Sequence, residues 1–229
     1  MTWGIIAALP AELEHIVNAM ETERTQTVFG ARFHIGKIGG VRVAAVCCGI
    51  GTINAAACAC VLVRELGADV LINTGAAGGT GAGLGMLDVA LSSEVVFHDT
   101  DAAFMKDYYP FRESFPADAQ LISLAERSIA RMQNREFNYK VGRIATGDVF
   151  VNDNELKANI IARLHPLCVE MEGAAIGQIA YMSCRPFLVI RSVSDTAGEG
   201  AALSFENFLE RAAGNSAAIV LGMLELSQP

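Results

Sequence analysis

The chain has 229 residues, 52% of them hydrophobic and 18% charged, and its 25 acidic side chains against 17 basic ones give a net charge of −8. A chain of this length fits one α/β domain with a large buried core. The acidic balance argues against nucleic acid and anionic membrane as partners, because both select a basic face.

Residues Trp3 to Ala8 read as a short buried strand, and Pro10 suits the first position of the helix that follows. Leu13, Ile16, Val17 and Met20 share one face of that helix. Glu12 falls in its first turn, where the helix dipole favours a carboxylate. At a strand-to-helix junction the same group can also be a base facing a cleft. Two hairpins come next: a strand over Gln26–Phe29, a turn at Gly30, a strand over Arg32–Ile38, a Gly39–Gly40 turn and a strand over Val41–Cys48. Gly49-Ile50-Gly51-Thr52 then opens an Ala-rich helix over Ile53–Leu66. Such a glycine turn either holds an anion or is simply a tight turn.

Val70–Thr74 is another buried strand, followed by a glycine-rich stretch from Gly75 to Gly85. Its spacing does not fit a dinucleotide fingerprint. Gly75–Gly79 reads as a turn where backbone approaches a ligand or a neighbouring strand. A long strand over Asp88–Phe97 ends in His98-Asp99-Thr100-Asp101. Those residue types can ligate a metal, but no partner histidine lies at ligand spacing, so they read as polar caps and no metal is expected. The segment Ala102–Pro116 is irregular and carries Phe104, Tyr108, Tyr109, Phe111 and Phe115, the marks of a lid, a binding loop or an interface.

A helix over Asp118–Met132 and a strand over Val141–Ala145 lead into the turn Thr146–Val151, and Asp153 caps a helix running to Leu164. A short strand over Leu167–Val169, a helix over Gly173–Met182, a strand over Phe187–Val193 and a helix over Phe205–Leu226 complete the order. The alternation predicts one domain, residues 1–229, of α/β class: a three-layer α/β/α arrangement around a central mixed, twisted sheet. Six cysteines on apolar runs lack a CxxC pattern and read as reduced core thiols of a cytoplasmic protein. The start has no basic leader, and no stretch is apolar for long enough to span a bilayer.

Two regions carry charge where charge is costly unless paired or used. Glu170 and Glu172 flank Met171, and Arg191, Ser194 and Asp195 follow a buried run. An Arg–Glu ion pair bracing the core is one reading. The other follows if Glu12, Gly75–Gly79, Phe150–Val151, Glu172 and Asp195 converge beyond the carboxyl ends of the strands, where open α/β sheets keep their chemistry. No serine or cysteine has a histidine relay, so a covalent nucleophile is unsupported. Several carboxylates around an apolar pocket suit acid/base cleavage of a glycosidic bond through a cationic sugar transition state.

The fragments GIIAALPAELE, CGIG, NTGAAGG, HDTD, TGDVFV, VEMEGAAI, RSVSD and LSF occur in order over nearly the whole chain. Together they resemble the 5′-methylthioadenosine/S-adenosylhomocysteine nucleosidases of the purine nucleoside phosphorylase superfamily. The resemblance implies a nucleoside phosphorylase-like fold and hydrolysis of 5′-thioadenosine nucleosides to adenine, without cofactor or metal. It implies Glu12 as the base that activates water and Asp195 as the acid that protonates the five-membered ring of adenine. Glu172 would bind the ribose hydroxyls, Met171 pack on the sugar, Phe150 stack on the base, and the Val151 backbone bond its Watson–Crick edge. Gly78 would approach the substrate through backbone, Ser194 would orient Asp195, and Arg191 the Glu12 region. Leu9, Ile50 and Phe205 would line the pocket for the 5′-thio substituent. A homodimer is implied, with the 102–116 loop completing the neighbour's pocket.

Two alternatives stand beside this reading: a phosphate-dependent purine nucleoside phosphorylase and a non-catalytic nucleoside-binding protein. Superfamily phosphorylases use arginine near the first strand, where this chain has Glu12. A unit negative charge ~4 Å from phosphate costs about 4 kcal/mol at an effective dielectric of about 20, about three decades in affinity. Against the family pattern, Pro10 and Ala11 replace residues that are often acidic, Ala76 stands where many members have serine, and Ala103–Pro116 lacks the usual Gly-Gln-Pro character.

Overall fold

The computed structural model describes residues 1–198 and 200–228. The opening apolar run forms β1 (Thr2–Ala7), and Pro10 starts α1 (Pro10–Asn18) directly behind it. Three antiparallel-linked strands follow, β2 (Glu21–Val28), β3 (Ala31–Ile38) and β4 (Val41–Cys47), and then α2 (Thr52–Arg64). Next come β5 (Val70–Gly79), β6 (Val89–Phe97), α3 (Ala102–Asp107), β7 (Phe115–Pro116) and α4 (Ala119–Arg131). The chain continues through β8 (Tyr139–Thr146), α5 (Asn154–Leu164), β9 (Cys168–Glu170), α6 (Gly173–Met182), β10 (Phe187–Asp195) and α7 (Ala201–Leu226).

Side chains alternate between the two faces of the sheet, as the period of a strand requires. Trp3, Ile5, Ile72, Leu91 and Leu188 pack under α1, α4 and α7, whereas Ile6, Ala44, Leu71 and Val189 pack under α2 and α6. Three layers result, with a core on each side of the sheet.

The sheet is mixed. Its strands run in the order β10-β6-β8-β9-β5-β1-β4-β3-β2, with β7 beside β6, and β10 pairs back onto β5. Strands β5, β10, β6, β8 and β9 therefore close on themselves, while β1, β4, β3 and β2 extend from β5 as an open wing. Strand β5 is where the two parts meet. On one side β10 follows it from Leu71 to Gly78. On the other side β1 pairs with it only as far as Asn73, and β9 takes over only at Gly78.

Several expectations change. Gly75–Gly79 is not a turn but the second half of β5, buried throughout; strand propensity hides it, because glycine is depleted in strands unless a neighbour must come close. The Ala102–Pro116 segment is not wholly irregular. Asp101 caps α3 by accepting the N–H of Ala103 at 2.9 Å, and Phe115 pairs with Val95 in the sheet. The last strand reaches Asp195 and the last helix begins at Ala201. All six cysteines are free, but Cys60 and Cys184 are exposed rather than in the core. Among the described residues no helix is long and apolar enough to cross a membrane.

Candidate active site

The break between β1 and β9 leaves residues 74–77 of β5 without a strand on one side. In a strand the N–H and C=O of one residue point the same way, and at Ala76 both face this break. Side chains take the place of the missing strand. Glu12 Oε1 accepts the Ala76 N–H at 2.8 Å, and Arg191 Nη1 donates to the Ala76 carbonyl at 3.3 Å. A cleft of about 670 Å³, solvent at its mouth included, opens on this point.

Glu12 arrives there because α1 begins immediately after β1. From the first turn its Oε2 reaches back to accept the N–H groups of Ala8 and Leu9, both at 2.9 Å. The carboxylate thus receives three backbone donors and is buried.

Arg191 lies inside β10, fully buried. Its Nη2 donates to Asn73 Oδ1 at 2.7 Å, to Glu172 Oε2 at 3.0 Å and, in a short ion pair, to Glu170. Burial alone would lower its pKa; Glu170, Glu172 and Glu12 outweigh that and raise it. Glu170 also takes the Thr146 hydroxyl and the N–H groups of Glu172 at 3.0 Å and Gly173 at 2.8 Å, so it caps α6. The ion pair of the first sequence reading exists, and it stands in the wall of the cleft on which the second depends.

Glu172 accepts the Gly51 N–H at 2.9 Å on its other oxygen. Burial pushes its pKa up to about 7, against the pull of Arg191; Glu170 and Glu12 push the same way, and the Gly51 N–H opposes them. The glycine turn before α2 does hold anions, but they are the protein's own. Gly51 binds Glu172, and the Thr52 N–H binds Asp148 at 2.7 Å.

Asp195 ends β10 beside Gly78. Ser194 Oγ lies 3.0 Å from its Oδ2, and the Ala197 N–H donates to its Oδ1 at 2.8 Å. Burial raises its pKa; the Ala197 N–H, Ser194 and Lys157 offset part of that rise. Glu12 is anchored at Ala76 and Asp195 at Gly78, two residues on along one strand, or about 7 Å at the usual rise. Gly78 has no room for a side chain, since a Cβ would lie 2.8 Å from the Ala197 Cβ and 2.9 Å from Asp195 Oδ1.

The remaining residues singled out from sequence line the same cleft: Leu9, Ile50, Phe150, Val151, Met171 and Phe205 supply a mostly apolar wall. Phe150 and Phe205 meet edge to face with ring centroids 6.1 Å apart. Cys48 follows β4 directly, and burial, then Glu172, raise its pKa well above the usual thiol range, which disfavours the thiolate a nucleophile would need. Two features escaped the sequence reading. The junction role of Glu170 was visible only as one of a carboxylate pair, and the Ala76 backbone left without a neighbouring strand has no signal in the residue itself.

With Glu12, Glu170, Glu172 and Asp195 against Arg191, the cleft has more acids than bases. Such an excess of carboxylates would steady positive charge held in the cleft.

The Phosphorylase superfamily model matches residues 2–225. The chain is 39% identical over 229 residues to a 5′-methylthioadenosine/S-adenosylhomocysteine nucleosidase of Exiguobacterium sp. (strain ATCC BAA-1283 / AT1b), covering 97% of each protein. It is 35% identical, with a TM-score of 0.93, to the crystal structure of the 5′-methylthioadenosine/S-adenosylhomocysteine nucleosidase from Neisseria meningitidis in complex with methylthio-immucillin-A, over 98% of this chain and 99% of that one. The nucleosidase from Colwellia psychrerythraea 34H in complex with adenine gives 36% identity and a TM-score of 0.93, over 98% and 95% of the two chains.

Proposed function

The chain belongs to the phosphorylase superfamily and, within it, to the 5′-methylthioadenosine/S-adenosylhomocysteine nucleosidases, and we propose that it hydrolyses the N-glycosidic bond of 5′-methylthioadenosine, S-adenosylhomocysteine or both. The products are adenine and the 5′-thioribose. The observation that carries this is the pairing of Glu12 and Asp195 along β5 in one cleft that also holds Glu172 and an apolar wall.

In this mechanism Asp195 is the general acid. It gives a proton to the five-membered ring of adenine, so that the bond to the ribose breaks toward a neutral leaving group. A raised pKa keeps that proton available. Glu12 is the general base and takes a proton from the water whose oxygen bonds the sugar carbon. Glu172 accepts the ribose hydroxyls, with Met171 against the sugar. The excess of carboxylates steadies the oxocarbenium ion. Phe150 stacks on the base, the Val151 backbone meets its Watson–Crick edge, and Gly78 leaves room for close approach. Leu9, Ile50 and Phe205 receive the 5′-thio group. Ser194 orients Asp195, and Arg191 holds the Ala76 carbonyl beside Glu12.

Phosphate has no place in this scheme, because Glu12 occupies the position where phosphate would need a cation. The enzyme acts as one domain in the cytoplasm, in methionine salvage, and as a homodimer in which residues 102–116 complete the neighbour's pocket. Support for the dimer is the exposure of Phe104, Tyr108, Tyr109 and Phe111 on one short segment, which analytical ultracentrifugation of the purified protein tests.

The decisive experiment supplies 5′-methylthioadenosine in phosphate-free buffer and detects adenine by chromatography. Adenine release is expected, with Asp195→Asn lowering it ~10²–10⁴-fold while still binding substrate. A rate that requires phosphate and yields a sugar phosphate points to the phosphorylase. Binding without turnover points to a nucleoside-binding protein.

A further inference from the structure

Asp148 is exposed and lies outside the acid, base and ribose groups, yet three of its atoms are committed. Its Oδ1 accepts the Thr52 N–H at 2.7 Å and its Oδ2 the Thr52 hydroxyl. Its own N–H donates to Asp99 Oδ2 at 2.8 Å. Thr52 opens α2, whose N-cap is Gly51. A glycine cap has no side chain with which to satisfy the first amides of its helix. Asp148, 96 residues further along the chain, supplies the missing carboxylate.

Gly51 sits at φ +104, a conformation glycine alone adopts freely. A Cβ there would also lie 3.0 Å from Asp148 Oδ1, close enough that the carboxylate would have to shift by a few tenths of an ångström. Two successive amides are thus gripped by two carboxylates, Gly51 by Glu172 and Thr52 by Asp148. With that freedom, the direction of the Gly51 N–H depends on how firmly the next peptide is fixed: its carbonyl accepts the Ala55 N–H at 3.1 Å, and its N–H is held by Asp148.

We propose that Asp148 is a positioning residue: from the turn that precedes Phe150 and Val151 it caps α2 and thereby holds the Gly51 N–H on the Glu172 carboxylate. This rests on the reading of Glu172 as the group that meets the ribose hydroxyls. The clamp also explains the His98-Asp99-Thr100-Asp101 cluster, in which Asp99 seats Asp148 and Asp101 caps α3. Gly147 admits this contact, because a Cβ there would lie 2.3 Å from the His98 ring and 2.8 Å from Asp99 Oδ2. Base wall and ribose carboxylate are then tied through one helix terminus.

The test compares Asp148→Ala, Thr52→Val and Thr52→Ser. Hydrogen exchange reads the clamp directly: the Gly51 amide exchanges faster in the first two variants and stays protected in Thr52→Ser. Calorimetry in an Asp195→Asn background then compares 5′-methylthioadenosine, its 2′,3′-dideoxy analogue and adenine. Asp148→Ala should weaken the ribonucleoside about tenfold, the scale of a lost helix cap, and leave the other two within about twofold. Equal weakening of all three ligands, or an unchanged Gly51 amide, overturns the proposal. Failure of the unaltered enzyme to release adenine is a separate result, and it removes the hydrolase reading while the exchange data still judge the clamp.

Discussion

Glu12 accepts the backbone N–H of Ala76 at 2.8 Å, across 64 residues of chain, at the stretch of β5 that has no strand beside it. A buried amide left without an acceptor costs about 1–3 kcal/mol. The proposed catalytic base therefore does structural work as well, standing in for a missing strand.

Glu12→Gln separates the two duties poorly, and that is its use. A carboxylate accepts all three of its donors, from Ala8, Leu9 and Ala76. An amide has one oxygen, so its NH2 must face at least one backbone N–H whichever way it turns. The expected outcome is a loss of about 1–3 kcal/mol in urea unfolding, together with adenine release reduced by ~10²-fold or more. A variant as stable as the parent would show that the fold does not need all three backbone bonds to this side chain.

Gly75, like Gly78, is a position of close approach in the site. A Cβ there would lie 2.4 Å from Glu12 Oε1 and 2.5 Å from Arg191 Nη1, so Gly75→Ala must push the base and the arginine apart. Overpacking of this kind costs about 1–3 kcal/mol. Because Ala76 is held between the same two side chains, activity should fall further than stability does. Urea midpoints and adenine release, measured on the same preparation, check this; an active Gly75→Ala would mean that the two groups tolerate separation.

How much of this was legible follows from the range of each signal. The buried runs of β1, β4 and β10, the face of α1 and the span of α4 are local patterns, and they appear within a few residues of where the sequence puts them. Glu170, Glu172, Arg191 and Asp195 stand out because charge beside apolar runs demands a reason, whereas the roles of Phe150 and Val151 come only from the family resemblance. The second half of β5 does not stand out. Its glycines read as a turn, because what they accommodate, namely Val193 of β10 at Gly79 and Ala197 just beyond β10 at Gly78, lies more than a hundred residues on. Asp148 was equally silent, since its partner Thr52 lies on another element. Closure of β10 onto β5 is likewise a pairing between distant segments that no window of sequence contains.

Arg191 faces two acids in a buried wall, and removing it should be costly. Arg191→Met leaves Glu170 and Glu172 confronting each other without a counter-charge, a change that typically costs about 3–5 kcal/mol. Arg191→Lys should recover only part of this, because one ammonium does not reproduce a planar fork reaching Asn73, Glu170, Glu172 and the Ala76 carbonyl. Adding Glu170→Gln to Arg191→Met should restore stability relative to Arg191→Met alone, through the coupling expected of contacting groups. Denaturant midpoints for the cycle give the answer, and strictly additive losses would mean that the acids do not share the arginine.

Glu172 ties stability and binding to pH with opposite signs. Burial raises its pKa from 4.5 to about 7, so between those values the folded protein binds its proton more tightly than the unfolded chain does. The associated stability is full below about pH 4.5 and is lost as pH rises through about 7, on the order of 3 kcal/mol in all. Glu172→Gln mimics the protonated form and escapes this loss. The stability of the parent minus that of Glu172→Gln should therefore fall steadily from pH 4.5 to 8, while slopes due to other carboxylates cancel in the difference. Ribose binding runs the other way, because the ionised carboxylate is the better acceptor for hydroxyls: substrate affinity should rise through about pH 7 in the parent and stay flat in Glu172→Gln. Glu170, Arg191 and Glu12 face the same proton, so the midpoint belongs to the cluster rather than to one side chain. Urea midpoints at one-unit pH steps, with substrate Kd measured in the Asp195→Asn background, test both limbs; parallel stability curves for the two proteins would show that Glu172 is ionised throughout.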